Sequence, residues 1–377
     1  MEVEPDKLLA AAVCADDEGD VEGATGLYQR VLAGSPEHLG ALEALARLSF
    51  GRGDVASAVG WLTRATELRP GAAHLWANLG MVLAGAGKAH EAIGAYQRAV
   101  ALQPEMVDAY NHLGDVLQAE NRFGEAIGVY RRALLLRPDM PDTLTNLGNA
   151  LGRAGFYEQA VEAQRKAIAL VPDFAEAHHN LAVVLGEQGR LDEAVEEYRR
   201  AVSLRPDYVE ALNHLGLALH QMGDVNSVEY FARALEVKPD FVEARLNMAQ
   251  ALRDLGRVEE AKAICLQGPP DPQVASSYIQ SLLVDPEAGE ERLAEAHRRW
   301  DETFARPVRS AIEVHDNDAD PERRLRVGYV ARNLGNHPLG RFFQPLVERH
   351  DRGRFEVLLY CDVVREDRVG GLIRKGV

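Results

Sequence analysis

Six side chains able to give and take hydrogen bonds recur at one position of a repeating pattern: Asn78, His112, Asn146, Asn180, His214 and Asn247. Each step between them is 34 residues except the last, which is 33. A primary amide both donates and accepts, so a row of amides and imidazoles can hold the backbone of an extended peptide without reading its side chains. Four residues earlier, one helical turn back on the same face, stand His74, Asp108, Asp142, Glu176, Glu210 and Glu243. Such an edge is acidic and suits basic or hydroxyl-rich segments. Metal ligation is not expected from the histidines. His112 and His214 lie three periods apart, and the adjacent His178 and His179 point about 100° apart on a helix.

The elements that position these residues follow from the period. Pro36, Pro70, Pro104, Pro138, Pro172 and Pro206 stand 34 residues apart, and Pro239 follows after 33. Between prolines the pattern predicts an A helix with Leu-Gly at its middle, a turn containing Gly, and a B helix carrying Ala and Tyr. Small residues at Gly80, Gly114, Gly148, Ala182 and Gly216 are expected to let helix B approach, with Ala92, Ala126, Ala160 and Ala194 answering from the other side. Proline cannot donate to the helical ladder, so it stops helix B and each hairpin restarts at a set angle. The missing residue falls near Asn226 to Val228, where a local irregularity is expected. Seven units cover roughly residues 3 to 239, and a weaker eighth runs to about Gln267, ahead of Gly-Pro-Pro-Asp-Pro.

These residues resemble the tetratricopeptide repeat family, whose hairpins stack into an α-solenoid with a superhelical twist. The resemblance implies that the A helices line a concave groove and that the ladder of amides and imidazoles faces a polypeptide there. Relatives that grip a terminal carboxylate use Lys and Arg on these helices. This sequence offers Asp142, Asn146, Glu176 and Asn180 instead.

Composition narrows the partners. Lys and Arg number 42 against 58 Asp and Glu, a net charge of −16, which argues against a nucleic-acid groove or an anionic membrane surface. Cys14, Cys265 and Cys361 form no pair with metal or redox spacing. The acidic N-terminus and the absence of any long apolar run point to a cytoplasmic protein. Gly85-Ala86-Gly87-Lys88 sits at a hairpin turn and lacks the spacing of a phosphate loop. Asp316, Asp318 and Asp320 imitate the start of a calcium loop, but Pro321 stands where that loop needs glycine.

Beyond residue 268 the period is gone. Ser277 to Val284 and Glu290 to Phe304 read as helices of an adaptor spanning 271–306, the second amphipathic through Leu293, Ala296, Trp300 and Phe304. A polar linker is expected over 307–322. Residues 323–377 then read as strand (Leu325 to Val330), loop, helix (Arg341 to His350) and strand (Phe355 to Tyr360), the order of a short α/β, Rossmann-like segment with parallel strands.

Here a second resemblance arises. Leu-Arg-Val-Gly-Tyr-Val, Gly-Asn-His-Pro and Arg-Phe-Glu-Val-Leu-Leu-Tyr are similar to the opening of the catalytic region of protein O-linked N-acetylglucosamine transferases, including the SPINDLY-like group. The family transfers a sugar from a UDP donor to Ser or Thr with inversion and without an essential metal. The resemblance places His337 beside the reaction site, where a near-neutral imidazole can serve as a base. The sequence departs from the family's Ser-x-Asp-Phe at Ala331, Arg332, Asn333 and Leu334. The matching segment runs to Val377, early in the family's catalytic region. This chain alone is therefore expected to hold no cofactor and to be inactive, a truncated transferase or else a stand-alone scaffold.

Overall fold

A computed structural model of the chain describes residues 5–309 and two strands, 325–331 and 355–361. It divides into two units, Met1–Ala305 and Arg306–Val377. Eight helical hairpins make up most of the first unit: α1 (Pro5–Asp17) with α2 (Val21–Gly34), α3 (Leu39–Gly51) with α4 (Val55–Leu68), α5 (Ala73–Gly85) with α6 (Ala89–Leu102), α7 (Val107–Ala119) with α8 (Phe123–Leu136), α9 (Pro141–Arg153) with α10 (Tyr157–Leu170), α11 (Ala175–Glu187) with α12 (Leu191–Leu204), α13 (Val209–Gln221) with α14 (Ser227–Val237), and α15 (Val242–Asp254) with α16 (Val258–Cys265). Each helix packs on the next in sequence, the arrangement of a solenoid.

The turns inside the hairpins need a left-handed residue, and glycine supplies it at seven of the eight, with Gly87 at φ 72° and Gly155 at φ 84°. The fourth hairpin uses Asn121 at φ 58°. Between hairpins the proline carbonyl would lose its helical partner, and a side chain six residues on often supplies one. Trp76 Nε1 donates to the Pro70 carbonyl at 2.9 Å, His178 Nε2 lies 3.0 Å from that of Pro172, and the Arg245 guanidinium donates to that of Pro239.

In the third, fourth, fifth and seventh hairpins a larger group joins the alanines expected at the seam. Ala92, Ala126, Ala160 and Ala194 are fully buried, but the groups that lie against the glycines belong to the residue one turn later. A Cβ on Gly80 would fall 2.9 Å from the Tyr96 ring, on Gly114 2.4 Å from that of Tyr130, and on Gly216 2.8 Å from that of Phe231. In the fifth hairpin the facing residue is Gln164, fully buried, whose Nε2 donates to the Thr145 carbonyl at 3.0 Å. A glycine opposite a large flat side chain sets the spacing of the two helices in these hairpins.

The missing residue of the seventh hairpin delays α14. Asp224 accepts from the backbone and side-chain nitrogens of Asn226, and the helix begins at Ser227 with 11 residues where most of the other B helices have 14. After α16, the prolines read as a stop also start a helix. Asp271 caps α17 (Pro272–Leu283) by accepting from the backbone of Gln273 and Val274, and Pro272 occupies the first turn, where it has no donor to lose. The helix α18 (Glu290–Trp300) follows and ends in a π-helical turn, Asp301–Ala305. Trp300 Nε1 donates to the Pro272 carbonyl at 3.1 Å.

The second unit begins with a helical turn, α19 (Arg306–Arg309), so the linker expected from residue 307 starts with helical residues; proline is tolerated in a first turn. Strands β1 (Leu325–Ala331) and β2 (Phe355–Cys361) pair in parallel, Leu325 opposite Phe355 through Ala331 opposite Cys361. Parallel pairing is what the strand, loop, helix, strand order requires. The expected helix at 341–350, the Asp-rich stretch and His337 lie outside the described residues.

Candidate peptide-binding face

The A helices, α5 through α15, touch one another from hairpin to hairpin, and no pair of B helices is in comparable contact. They form the closely spaced wall of the solenoid. All six ladder residues lie on it: His112 is exposed, and Asn78, Asn146, Asn180, His214 and Asn247 are half-buried. The ladder is not a row of free groups. Asn146 Nδ2 donates to Asp115 Oδ1 on the preceding A helix at 2.9 Å. Asn247 Nδ2 donates to Asn213 Oδ1 at 3.0 Å, and Asn213 Nδ2 donates to Glu243 Oε1 at 3.0 Å. Asn180 Oδ1 lies 3.2 Å from His179 Nδ1. The Asn146 and Asn247 bonds tie neighbouring hairpins together, and Asn146, Asn180 and Asn247 keep one amide group each for a ligand.

The acidic edge is uneven. Asp108, Asp142 and Glu210 are exposed, whereas Glu176 is held by Arg205 at 2.7 Å, and that guanidinium lies 3.6 Å from the centre of the Tyr208 ring. At the first position His74 Nε2 faces Glu43 at 3.5 Å. An important acid escaped the sequence reading. Asp115, three residues after His112, accepts from both Tyr130 (2.7 Å) and Asn146 and lies 3.9 Å from His112 Nδ1. The closeness of this carboxylate raises the His112 pKa against the opposing effect of burial. Nothing in the repeat period marks it, since the equivalent positions carry Met81, Asn149 and Val183.

His179 and His214, separate in the sequence, are joined in the structure. They are 35 residues apart, one hairpin and one residue, and their rings stack at 5.2 Å and 15° with His179 Nε2 3.0 Å from His214 Nδ1. The Tyr208 hydroxyl lies 3.4 Å from His179 Nδ1. Burial, and then the neighbouring imidazole, pushes the His179 pKa down to about 4, and burial lowers that of His214 as well. His178 turns the other way, to Glu197 at 2.6 Å, which raises its pKa. Among the described residues no three His, Cys, Asp or Glu side chains converge on a point that could hold a metal ion, and no helix is long and apolar enough to cross a membrane.

Models of the tetratricopeptide repeat match residues 17–80 and 227–284, 78–141, 209–241, and 154–189 with 184–223. A probable UDP-N-acetylglucosamine–peptide N-acetylglucosaminyltransferase SPINDLY from Petunia hybrida is 33% identical over 94 residues, 25% of this chain and 9% of that protein. Its counterpart from Arabidopsis thaliana is 32% identical over 94 residues, 25% of this chain and 10% of its own length. The matched stretch thus spans about a tenth of these relatives. A tetratricopeptide repeat protein from Parabacteroides merdae superimposes with a TM-score of 0.54 at 15% identity, covering 65% of this chain and 98% of that one, which is a likeness of fold.

Proposed function

Since the chain belongs to the tetratricopeptide repeat family, we propose that its A-helix wall holds an extended polypeptide segment, and does so as the client-binding part of a SPINDLY-like protein glycosyltransferase. The observation that carries the first half is the row of polar side chains in which Asn146, Asn180 and Asn247 each keep one amide group unengaged. Asn146 keeps its oxygen and Asn180 its nitrogen, the acceptor and donor that a peptide backbone complements. The exposed Asp108, Asp142 and Glu210 favour segments with Lys or Arg beside the target hydroxyl.

The second half rests on the similarity to the plant proteins and on the residues around His337. In such an enzyme the array delivers a Ser or Thr side chain, a UDP-sugar supplies the glycosyl group, and His337 stands near the hydroxyl. This chain by itself captures polypeptide without nucleotide.

Selection of a random dodecapeptide library on the intact chain tests the first half. Recovered peptides are expected to be basic, and replacing both Asn146 and Asn180 with Ala is expected to weaken them about tenfold, the loss of two modest hydrogen bonds. No recovered peptide, or unchanged affinity in the double variant, would sink it. The second half is tested by the intact mass of the native polypeptide in its source cells. A mass well above that of 377 residues is expected, and a matching mass favours a stand-alone scaffold. Calorimetry with UDP-N-acetylglucosamine should show no binding to this chain; measurable heat would overturn nucleotide-free capture as the full description.

A further inference from the structure

The ladder position continues back to Ala10 on α1 and to Ala44 on α3, 34 residues before Asn78. Where the following six hairpins place an amide or imidazole, α3 places a methyl group, and a cavity of about 370 Å³ opens between α3 and α5. Its wall is apolar. Phe50, Leu62, Met81 and Val82 line it, Leu62 and Val82 are buried, and Met81 remains 46% exposed. Phe50 is particular to this hairpin, since the same position carries Ala84, Gln118, Gly152, Gly186, His220 and Arg253 later. Gly85 accommodates it: a Cβ there would lie 3.2 Å from the Phe50 ring.

At the rim stands Asn78, the ladder amide that, among the described residues, has no side-chain hydrogen bond within the chain. Its neighbours carry net negative charge. Arg47 is taken by Asp16, and the exposed His74 lies beside Glu43 at 3.5 Å. A cavity of this size and lining takes one side chain, and an unengaged amide beside it can bind the backbone of the same residue.

We infer that the α3/α5 cavity is an anchor subsite for one unbranched or γ-branched aliphatic side chain, Leu or Met, of a bound polypeptide, with Asn78 holding that residue's backbone and a Lys or Arg neighbour meeting Glu43. This deepens the proposed polypeptide capture and rests on it for its occupant. The remaining amides then serve as sequence-tolerant contacts, and the anchor sets the register of the segment along the wall.

Two readouts test the subsite. In the full chain with 13C-methyl methionine, N-acetyl-leucine N-methylamide should shift the Met81 signal saturably and leave those of the other five methionines in place. N-acetyl-lysine N-methylamide should not shift it. Ala44→Leu, which fills the cavity from a half-buried helix position, should abolish the shift, and Phe50→Ala should weaken it. Absence of a saturable shift, or its persistence in Ala44→Leu, overturns the subsite.

Dodecapeptides selected on the parent chain should share one Leu or Met, and Ala44→Leu should bind them about tenfold more weakly, the loss of one buried aliphatic group. Peptides that bind both proteins equally refute the anchor and leave polypeptide capture standing. A Met81 shift without any selected peptide refutes capture and leaves a small-molecule cavity.

Discussion

Asn146 Nδ2 and the Tyr130 hydroxyl donate to the same oxygen, Oδ1 of Asp115, at 2.9 and 2.7 Å. Tyr130 comes from the B helix of the fourth hairpin and Asn146 from the A helix of the fifth, so one half-exposed carboxylate joins three helices. Burial and then Asp115 raise the Tyr130 pKa, so the phenol stays protonated and donating. Tyr130→Phe keeps the ring against Gly114 and removes only the hydroxyl. It should lower stability by about 1 kcal/mol, the worth of one hydrogen bond whose acceptor is partly hydrated. Denaturant midpoints of the two proteins check this, and an unchanged midpoint would show that Asn146 and water satisfy Asp115 alone.

The glycines of the array separate into two kinds. Gly114→Ala places a methyl carbon 2.4 Å from the Tyr130 ring, which must shift within a filled seam, at a cost of about 2 kcal/mol. Gly128 lies in α8 with open space where its Cβ would be, so Gly128→Ala should add about 0.5–1 kcal/mol through helix propensity. Thermal unfolding of the two variants side by side should move the midpoint in opposite directions. Movement in the same direction would refute the seam account.

Asn121 performs in the fourth turn what glycine does in the other seven. Asparagine tolerates the left-handed conformation better than other side chains, so Asn121→Gly should change stability little. Asn121→Ala keeps a Cβ and loses that tolerance, and should cost about 1 kcal/mol. Equal midpoints for the Ala and Gly variants would mean the turn adjusts to a right-handed residue.

The hairpins were legible because one residue type per position does one job in every repeat. Proline, turn glycine and mid-helix glycine each recur at 34 residues, and the seam they imply is the seam observed, apart from which B-helix residue meets the glycine. The ladder's placement on one wall followed from the same period. Its pairing did not, because hydrogen bonds between hairpins run from one repeat position to a different one: Asn146 to Asp115, Asn213 to Glu243, His179 to His214. A reading that aligns equivalent positions overlooks contacts between unequal ones. The Ala44 cavity was invisible for a related reason, since a missing side chain leaves no mark in a list of chemically able residues.

The stacked imidazoles give a pH dependence whose sign can be worked out. In the unfolded chain a histidine has a pKa near 6.5, whereas burial holds His179 down to about 4 and lowers His214 in the folded one. Over the window from about 6.5 to about 4 the unfolded state therefore binds protons the folded state refuses, and stability falls as the solution is acidified. One such group contributes a slope of at most about 1.4 kcal/mol per pH unit. His178 has the opposite sign. Its raised pKa, due first to Glu197, gives stability that is full below the unfolded value and lost as pH rises through the folded one. Glu210 and Glu243, which favour protonation of His214, and Arg205, which opposes it at His179, are unchanged by a substitution at His179. His179→Gln should therefore flatten the fall in denaturant midpoint between pH 6.5 and 4.5 relative to the parent chain, while His178→Gln should leave that fall in place and lower stability chiefly below neutral pH. Identical slopes for the parent and the His179 variant would mean that the pair already takes up a proton in the folded state.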